Sequence, residues 1–132
     1  MPILCVDGII ESDNLFLLVK RENNPLKGIY WLPGGRVYKN ETLAEAFIRK
    51  MKEEVGLDVG ITGVAGYYED FYKENELGID GVHTMSIVFT AKPLSRAIKL
   101  DSQSSDYGWF PELPAQLNIK NTNNFTDNQN KR

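Results

Sequence analysis

The chain has one cysteine and one histidine in 132 residues. No intrachain disulfide can form, and no cysteine cluster can hold zinc. Cys5 lies in the apolar run Ile3-Leu4-Cys5-Val6, which reads as a buried core thiol rather than a nucleophile. A basic stripe is also missing. Fifteen Lys and Arg stand against 18 Asp and Glu, for a net charge of -3, which argues against nucleic acid as a partner. No Lys/Arg-led signal segment is visible and no apolar run is long enough to span a bilayer. The expectation is a cytoplasmic protein with no membrane partner. A small anionic ligand stays compatible with this charge, because a metal ion and a few arginines can neutralise it locally.

What is present suffices for one domain with a core, at 42% hydrophobic residues. Residues Pro2 to Ile10 read as a strand, interrupted by Asp7, and Leu15 to Lys20 as a second, with the turn cluster Glu11-Ser12-Asp13-Asn14 making a hairpin. A carboxylate inside such a strand marks an edge, a turn or a site. A loop from Arg21 to Gly28 leads to the short apolar run Ile29 to Leu32 and a Pro33-Gly34-Gly35 turn, after which Arg36 to Tyr38 pairs back. Asp58 to Tyr72 reads as a strand bent or bulged at Gly60, Gly63 and Gly66. Its aromatic end, Tyr67 to Tyr72, is able to wall a pocket or simply to fill core and rim. Lys73 to Val82 reads as a mobile loop and His83 to Lys92 as a strand ended by Pro93. Asp101 to Asp106 reads as a polar loop before a short strand, Tyr107 to Phe110. The domain is expected over 1–117, with 118–132 as an Asn-rich tail, helical or docked on a partner. One long helix among strands predicts an α/β layered fold.

That helix carries the chemistry. Thr42 and Glu45 have capping-box spacing, and Gly56 suits the C-terminal cap, so the helix runs from Leu43 within the periodic stretch Asn40 to Val55. Leu43, Ala44, Phe47, Ile48, Met51 and Val55 form its apolar face. Arg49 and Glu53 lie side by side on the opposite face, and Glu54 projects at the edge of the apolar stripe. A carboxylate at that boundary is partly desolvated and is best tolerated beside a cation. Acids at a helix C-terminus also oppose the macrodipole. Glu53 and Glu54 therefore divide between a solvated acidic patch and a metal site.

The spacing Gly35, Glu41, Arg49, Met51, Glu53, Glu54, Gly56, Leu57 resembles the Nudix box, spanning 23 residues. Pro33-Gly34 before it and Trp109-Phe110 after it are also similar to Nudix proteins. One position departs: Lys50 stands where the family carries glutamate. The resemblance implies a Nudix-type α/β/α sandwich with a mixed β-sheet. It also implies hydrolysis of a nucleoside diphosphate linked to another moiety, with Mg2+ or Mn2+ as cofactor and often a homodimer. Around Lys20 to Gly28, Trp31, Pro33 to Val37, Lys39 to Leu43, Leu100 to Gln103 and Asp106-Tyr107, the chain is similar to the GDP-mannose mannosyl hydrolase branch, which cleaves at the sugar anomeric carbon.

By that resemblance Glu54, Glu53, Gln103 and the Gly34 carbonyl are the expected metal ligands. Arg49, Glu53, Glu54 and Arg36 are the expected catalytic residues. Arg21, Arg36 and Arg49 would face the diphosphate or sugar, with Asp7 and Tyr67 as further substrate contacts. Ser104 replaces the branch's histidine, so the general base is open between His83, Asp7, Glu69, Asp70 and Asp106. Three functional readings follow. The first is a GDP-mannose-like hydrolase acting at the anomeric carbon, and the alternative is a pyrophosphohydrolase cutting P–O–P in a nucleotide sugar, ADP-ribose or nucleoside triphosphate. A non-catalytic nucleotide-binding module is the least supported.

Overall fold

The computed structural model of the chain describes residues 2–22, 27–72 and 82–121. Its elements are β1 (Ile3–Ser12), β2 (Leu15–Arg21), β3 (Tyr30–Trp31), β4 (Gly34–Arg36), α1 (Leu43–Val55), β5 (Val59–Tyr72), β6 (Val82–Pro93) and β7 (Ser104–Phe110). The strands form one sheet in the order β3-β2-β1-β6-β5, with β4 also on β1 and β7 also on β2. β1 and β6 run parallel from Ile3↔Thr84 to Ile10↔Ala91, and the other pairs are antiparallel. This is the mixed sheet with a packed helix expected of the fold.

β1 is the hub. One edge takes β6 along most of its length. The other takes β4 at Cys5 to Asp7 and β2 at Glu11 and Ser12. Such a strand is covered on both faces, which is why it reads as a nearly continuous apolar run. Val6 and Ile10 join Leu17, Val19, Phe89 and Ala91 beneath Ala46, Phe47, Met51 and Val55 of α1. Ile9 faces the other way, with Leu18, Trp31, Leu32, Tyr68 and Val88. There Leu113, Leu117 and Ile119 cover the core, so among the described residues this second layer is irregular chain rather than helix.

The helix ends are set by local chemistry. Thr42 Oγ1 accepts from the Glu45 N–H while Glu45 Oε1 accepts from the Thr42 N–H, and Gly56 closes the other end at φ 71°. The β1–β2 turn needs only two residues, Asp13 and Asn14, both at positive φ. That is the hairpin turn whose twist matches its strands, and it leaves Glu11 and Ser12 inside β1.

Two loop expectations are corrected. Pro33-Gly34-Gly35 is no turn: Gly34 to Arg36 form β4 and pair with β1, whereas Val37 and Tyr38 lie beyond the strand. β7 begins at Ser104 instead of Tyr107, because the backbone pairs with β2 while Ser105 and Asp106 turn outward on an exposed edge. β5 carries register shifts at Ile61/Gly63 and Val64/Gly66, where the glycines suggested bulges. At Gly66, φ is 149° and a Cβ would collide with the Lys120 carbonyl; Tyr67 and Lys120 pair there through both backbone groups. Of the expected loop from Lys73 to Val82, Val82 opens β6 instead, and residues 73–81, residues 23–26 of the earlier loop and the tail from 122 lie outside the described residues. No helix among the described residues is long and apolar enough to cross a membrane.

Gly8 sits on the helix side of β1, and a Cβ there would run into the Phe47 ring. Gly8→Ala should therefore lower unfolding free energy by about 1–3 kcal/mol, the usual range for overpacking. Denaturant melts check this; an unchanged midpoint would mean the ring yields freely.

Candidate active site

The site forms where the last turn of α1 meets the edge of β4. Pairing of β4 on β1 sets its geometry. Gly8 N–H donates to the Pro33 carbonyl and Val37 N–H donates to the Leu4 carbonyl. Asp7↔Gly34 is consequently a non-hydrogen-bonded pair, in which opposed side chains come closest. A Cβ at Gly34 would overlap Asp7 Oδ1, so this position needs glycine. The same pairing turns both polar groups of Gly34 away from β1. Its N–H donates to Glu54 Oε2 at 3.2 Å, and its carbonyl leaves from the same edge.

Glu54 is only 6% exposed. Burial pushes its carboxyl up to about 8, aided by Asp101 and Asp7, while Lys50 and the Gly34 N–H oppose the rise. The 99–101 segment closes over the helix end: Asp101 N–H donates to the Glu54 carbonyl and Lys99 N–H to that of Val55. Gln103 lies two residues beyond, exposed, its N–H on Asp101 Oδ1 and its carbonyl accepting from Glu22.

On the outer face Arg49 is locked from four sides. Its Nε and Nη2 donate to the two carboxylate oxygens of Glu41 at 2.6 and 2.9 Å. Nη1 donates to Glu53 Oε2 at 3.0 Å, and Nη2 also reaches the Arg36 carbonyl at 3.0 Å. The guanidinium stacks 3.7 Å above the Tyr38 ring. The Glu41 contacts chiefly raise the Arg49 pKa and lower that of Glu41. Glu53 is 45% exposed on its side chain and pairs also with Lys50 Nζ at 3.6 Å.

The other expected residues distribute unevenly. Arg36 is exposed on β4, one residue past Gly35. Arg21 ends β2, and its charge acts on both Asp7 and Cys5. Asp7 is buried; its Oδ2 accepts from the Tyr68 hydroxyl, which in turn accepts from Trp31 Nε1 at 3.2 Å. Burial raises Asp7 to about 7, and Tyr68, Arg21 and Ser86 pull it down. Tyr68 itself is pushed up, first by burial and then by Asp7.

The tyrosine that reaches Asp7 is thus Tyr68, whereas Tyr67 is buried on the opposite face of β5 and bridges to Lys120. Adjacent tyrosines in a strand point oppositely, and sequence offers nothing to choose between them. Glu41, as the clamp on Arg49, was visible as a box position but not as a partner. His83 lies apart: it pairs with Glu69 Oε2 at 2.8 Å and stacks on Phe71. It is five β6 positions from Val88, the neighbour of Asp7, or roughly 16 Å at strand rise. Asp106 accepts from the Tyr30 hydroxyl.

A buried carboxylate held above its usual range, next to an outward carbonyl edge, offers the hard oxygen donors that Mg2+ takes. No group of three or more His, Cys, Asp and Glu among the described residues is gathered as a complete site, so backbone, amide or substrate oxygens would have to complete the shell.

Sequence and structure comparisons give the family. The NUDIX domain family matches residues 1–128, and the chain belongs to that family. It is 38% identical over 109 residues to an ADP-ribose pyrophosphatase of Methanocaldococcus jannaschii, covering 83% of this chain and 62% of that protein. It is also 38% identical to the low-salt glycan biosynthesis protein Agl8 of Haloferax volcanii, covering 83% of this chain and 71% of that protein. Among solved structures, the MutT NUDIX hydrolase from Burkholderia pseudomallei superposes with a TM-score of 0.76 at 25% identity, over 89% of this chain and 91% of that one. The MutT protein from Methanosarcina mazei Go1 gives 0.70 at 28%, over 99% and 97%.

The raised acids carry a pH signature. From about pH 4 to 8 the unfolded chain ionises these carboxyls before the folded one does. The folded state then binds more protons, so metal-free stability should fall as pH rises through this window, by at most about 1.4 kcal/mol per pH unit per group. Glu54→Gln should flatten the slope between the ordinary carboxylate range and about 8. Melts in EDTA across that window measure it; equal slopes in both proteins would remove desolvation as the force on Glu54.

Proposed function

We propose that the chain hydrolyses a nucleoside diphosphate linked to a sugar, with Mg2+ or Mn2+, by cutting the P–O–P bond. The observation that carries this reading is the buried Glu54 carboxylate against the outward edge of Gly34. The relative named as an ADP-ribose pyrophosphatase supports the substrate class. Glu54 and the Gly34 carbonyl would hold the metal, with Glu53 and Gln103 as further donors. The ion would neutralise the diphosphate and stabilise the leaving charge.

The chain's own groups do the rest. Arg49, fixed by Glu41, orients Glu53. Arg21 and Arg36 bring positive charge to the β1–β4 rim, where a diphosphate can lie. Asp7 supports the floor through Gly34 and Tyr68.

A second reading has a specific observation behind it. Lys50 occupies the box position where the family has glutamate, and its ammonium stands by Glu53. With metal and water activation weakened there, attack at the sugar anomeric carbon, as in the GDP-mannose branch, becomes the competing reaction.

Turnover of a nucleotide-sugar panel, ADP-ribose included, in ¹⁸O-water with Mg2+ separates the two. Label in a monophosphate product is expected. Label in free sugar beside unlabelled nucleoside diphosphate would shift the assignment to the anomeric carbon, and binding without turnover would defeat both. Glu41→Gln, which loosens Arg49, should reduce kcat by about 10–100-fold, the usual effect of losing a group that orients a ligand. Unchanged kcat would dissociate Arg49 from catalysis.

A further inference from the structure

Arg49 and Lys50 are consecutive cations on α1, yet the fold gives them opposite surroundings. The Arg49 guanidinium is committed to Glu41, Glu53, the Arg36 carbonyl and the Tyr38 ring. Four of its five N–H groups and one ring face are thereby occupied. Lys50 projects instead across β4. Its stem lies over Gly35 so closely that a Cβ there would overlap Lys50 Cε, and the side chain is only 16% exposed.

That packing fixes where the charge sits. Gly35 pairs with Val6 on the helix side and Arg36 with Cys5 on the other, so the Lys50 ammonium and the Arg36 side chain flank β4 from its two faces. Its nearest carboxylate, on Glu53, is 3.6 Å away, beyond hydrogen-bond length. Among the described residues its N–H donors are thereby left for another acceptor. The positive charges that bear on the Cys5 thiol are those of Arg36, Arg21 and Lys50; Arg49 is not among them. Three cations thus lie within electrostatic reach of this part of β1.

We propose that Lys50, and not Arg49, is the third cation of the anion clamp, binding the substrate's diphosphate together with Arg21 and Arg36. The proposal rests on the diphosphate reading of this site. An ammonium suits the task, since it meets phosphate oxygens as a point charge without demanding the planar fork of a guanidinium. Gly35 acquires a reason beyond strand pairing: any side chain there would displace the lysine stem.

Calorimetric titration of the metal-free protein with inorganic pyrophosphate in EDTA tests this without relying on turnover. Lys50→Met keeps the stem and removes the charge. It should weaken binding about tenfold or more, the size expected for a lost charge-assisted contact, and Lys50→Arg should restore most of it. Arg36→Ala, whose backbone contact to Arg49 survives, should weaken binding comparably. Weakening in Arg36→Ala with unchanged affinity in Lys50→Met would overturn the lysine assignment and leave the diphosphate reading standing. Absence of saturable pyrophosphate binding by the wild-type protein would overturn both.

Discussion

The site depends on one carboxylate that the fold keeps out of water. Glu54 belongs to the last turn of α1, where the helix dipole already disfavours an acid, and the 99–101 segment covers its backbone. An isolated charge there is costly. The Gly34 N–H and the Lys50 ammonium offset only part of that cost, which is why the carboxyl stays above its usual range. The unmet demand for positive charge is the physical content of the word site. It exists only because β4 lies antiparallel on β1 in a register that leaves Gly34 facing outward.

Register in turn depends on two glycines. With a side chain at Gly34 the close pairing to Asp7 fails; with one at Gly35 the Lys50 stem has no bed. The Gly-Gly pair thus serves different neighbours on its two faces: a carboxylate of the sheet, then a cation of the helix. A strand with alternating faces delivers this; a turn, as which the Pro-Gly-Gly sequence first reads, would not.

The sequence made the helix limits legible, because a capping box and a terminal glycine agree on them; its apolar stripe was misplaced in part, since Ala44 and Ile48 are exposed and Ala46 is buried instead. Arg49 beside Glu53, and Glu54 at the stripe's edge, were accessible from 100° per residue alone. Strand limits were less so. β4 is three residues long and glycine-rich, and the start of β7 is polar; neither carries an apolar alternation, and both exist through pairing with distant strands. The same limit applies within the site. Gly34 and Glu54 were visible together only through the resemblance, and Tyr68 over Tyr67 is decided by which face of β5 meets Asp7. Partners separated by 20 to 61 residues leave no local trace.

The two cations at positions 49 and 50 show how little sequence is needed to divide a structural task from a chemical one. Successive helix residues differ by about 100°, enough to turn one toward the outer acids and the other toward the β4 edge. Arg49 is suited to the first place by geometry: a rigid fork can satisfy Glu41 bidentately and still reach Glu53 and a carbonyl. A lysine there would leave those acceptors unpaired. Lys50 is suited to the second by the opposite property, a flexible stem that lies flat on a glycine and carries one compact charge beyond it. Where Nudix proteins otherwise place an acid, this chain places a cation at the same point on the helix. The swap removes one acid and adds one cation, so the demand for positive charge around Glu53 and Glu54 is smaller and part of it is met from within the protein. On the proposed reading, a divalent ion entering this site would meet an ammonium already there, and the phosphate oxygens of a diphosphate are the groups that would accommodate both.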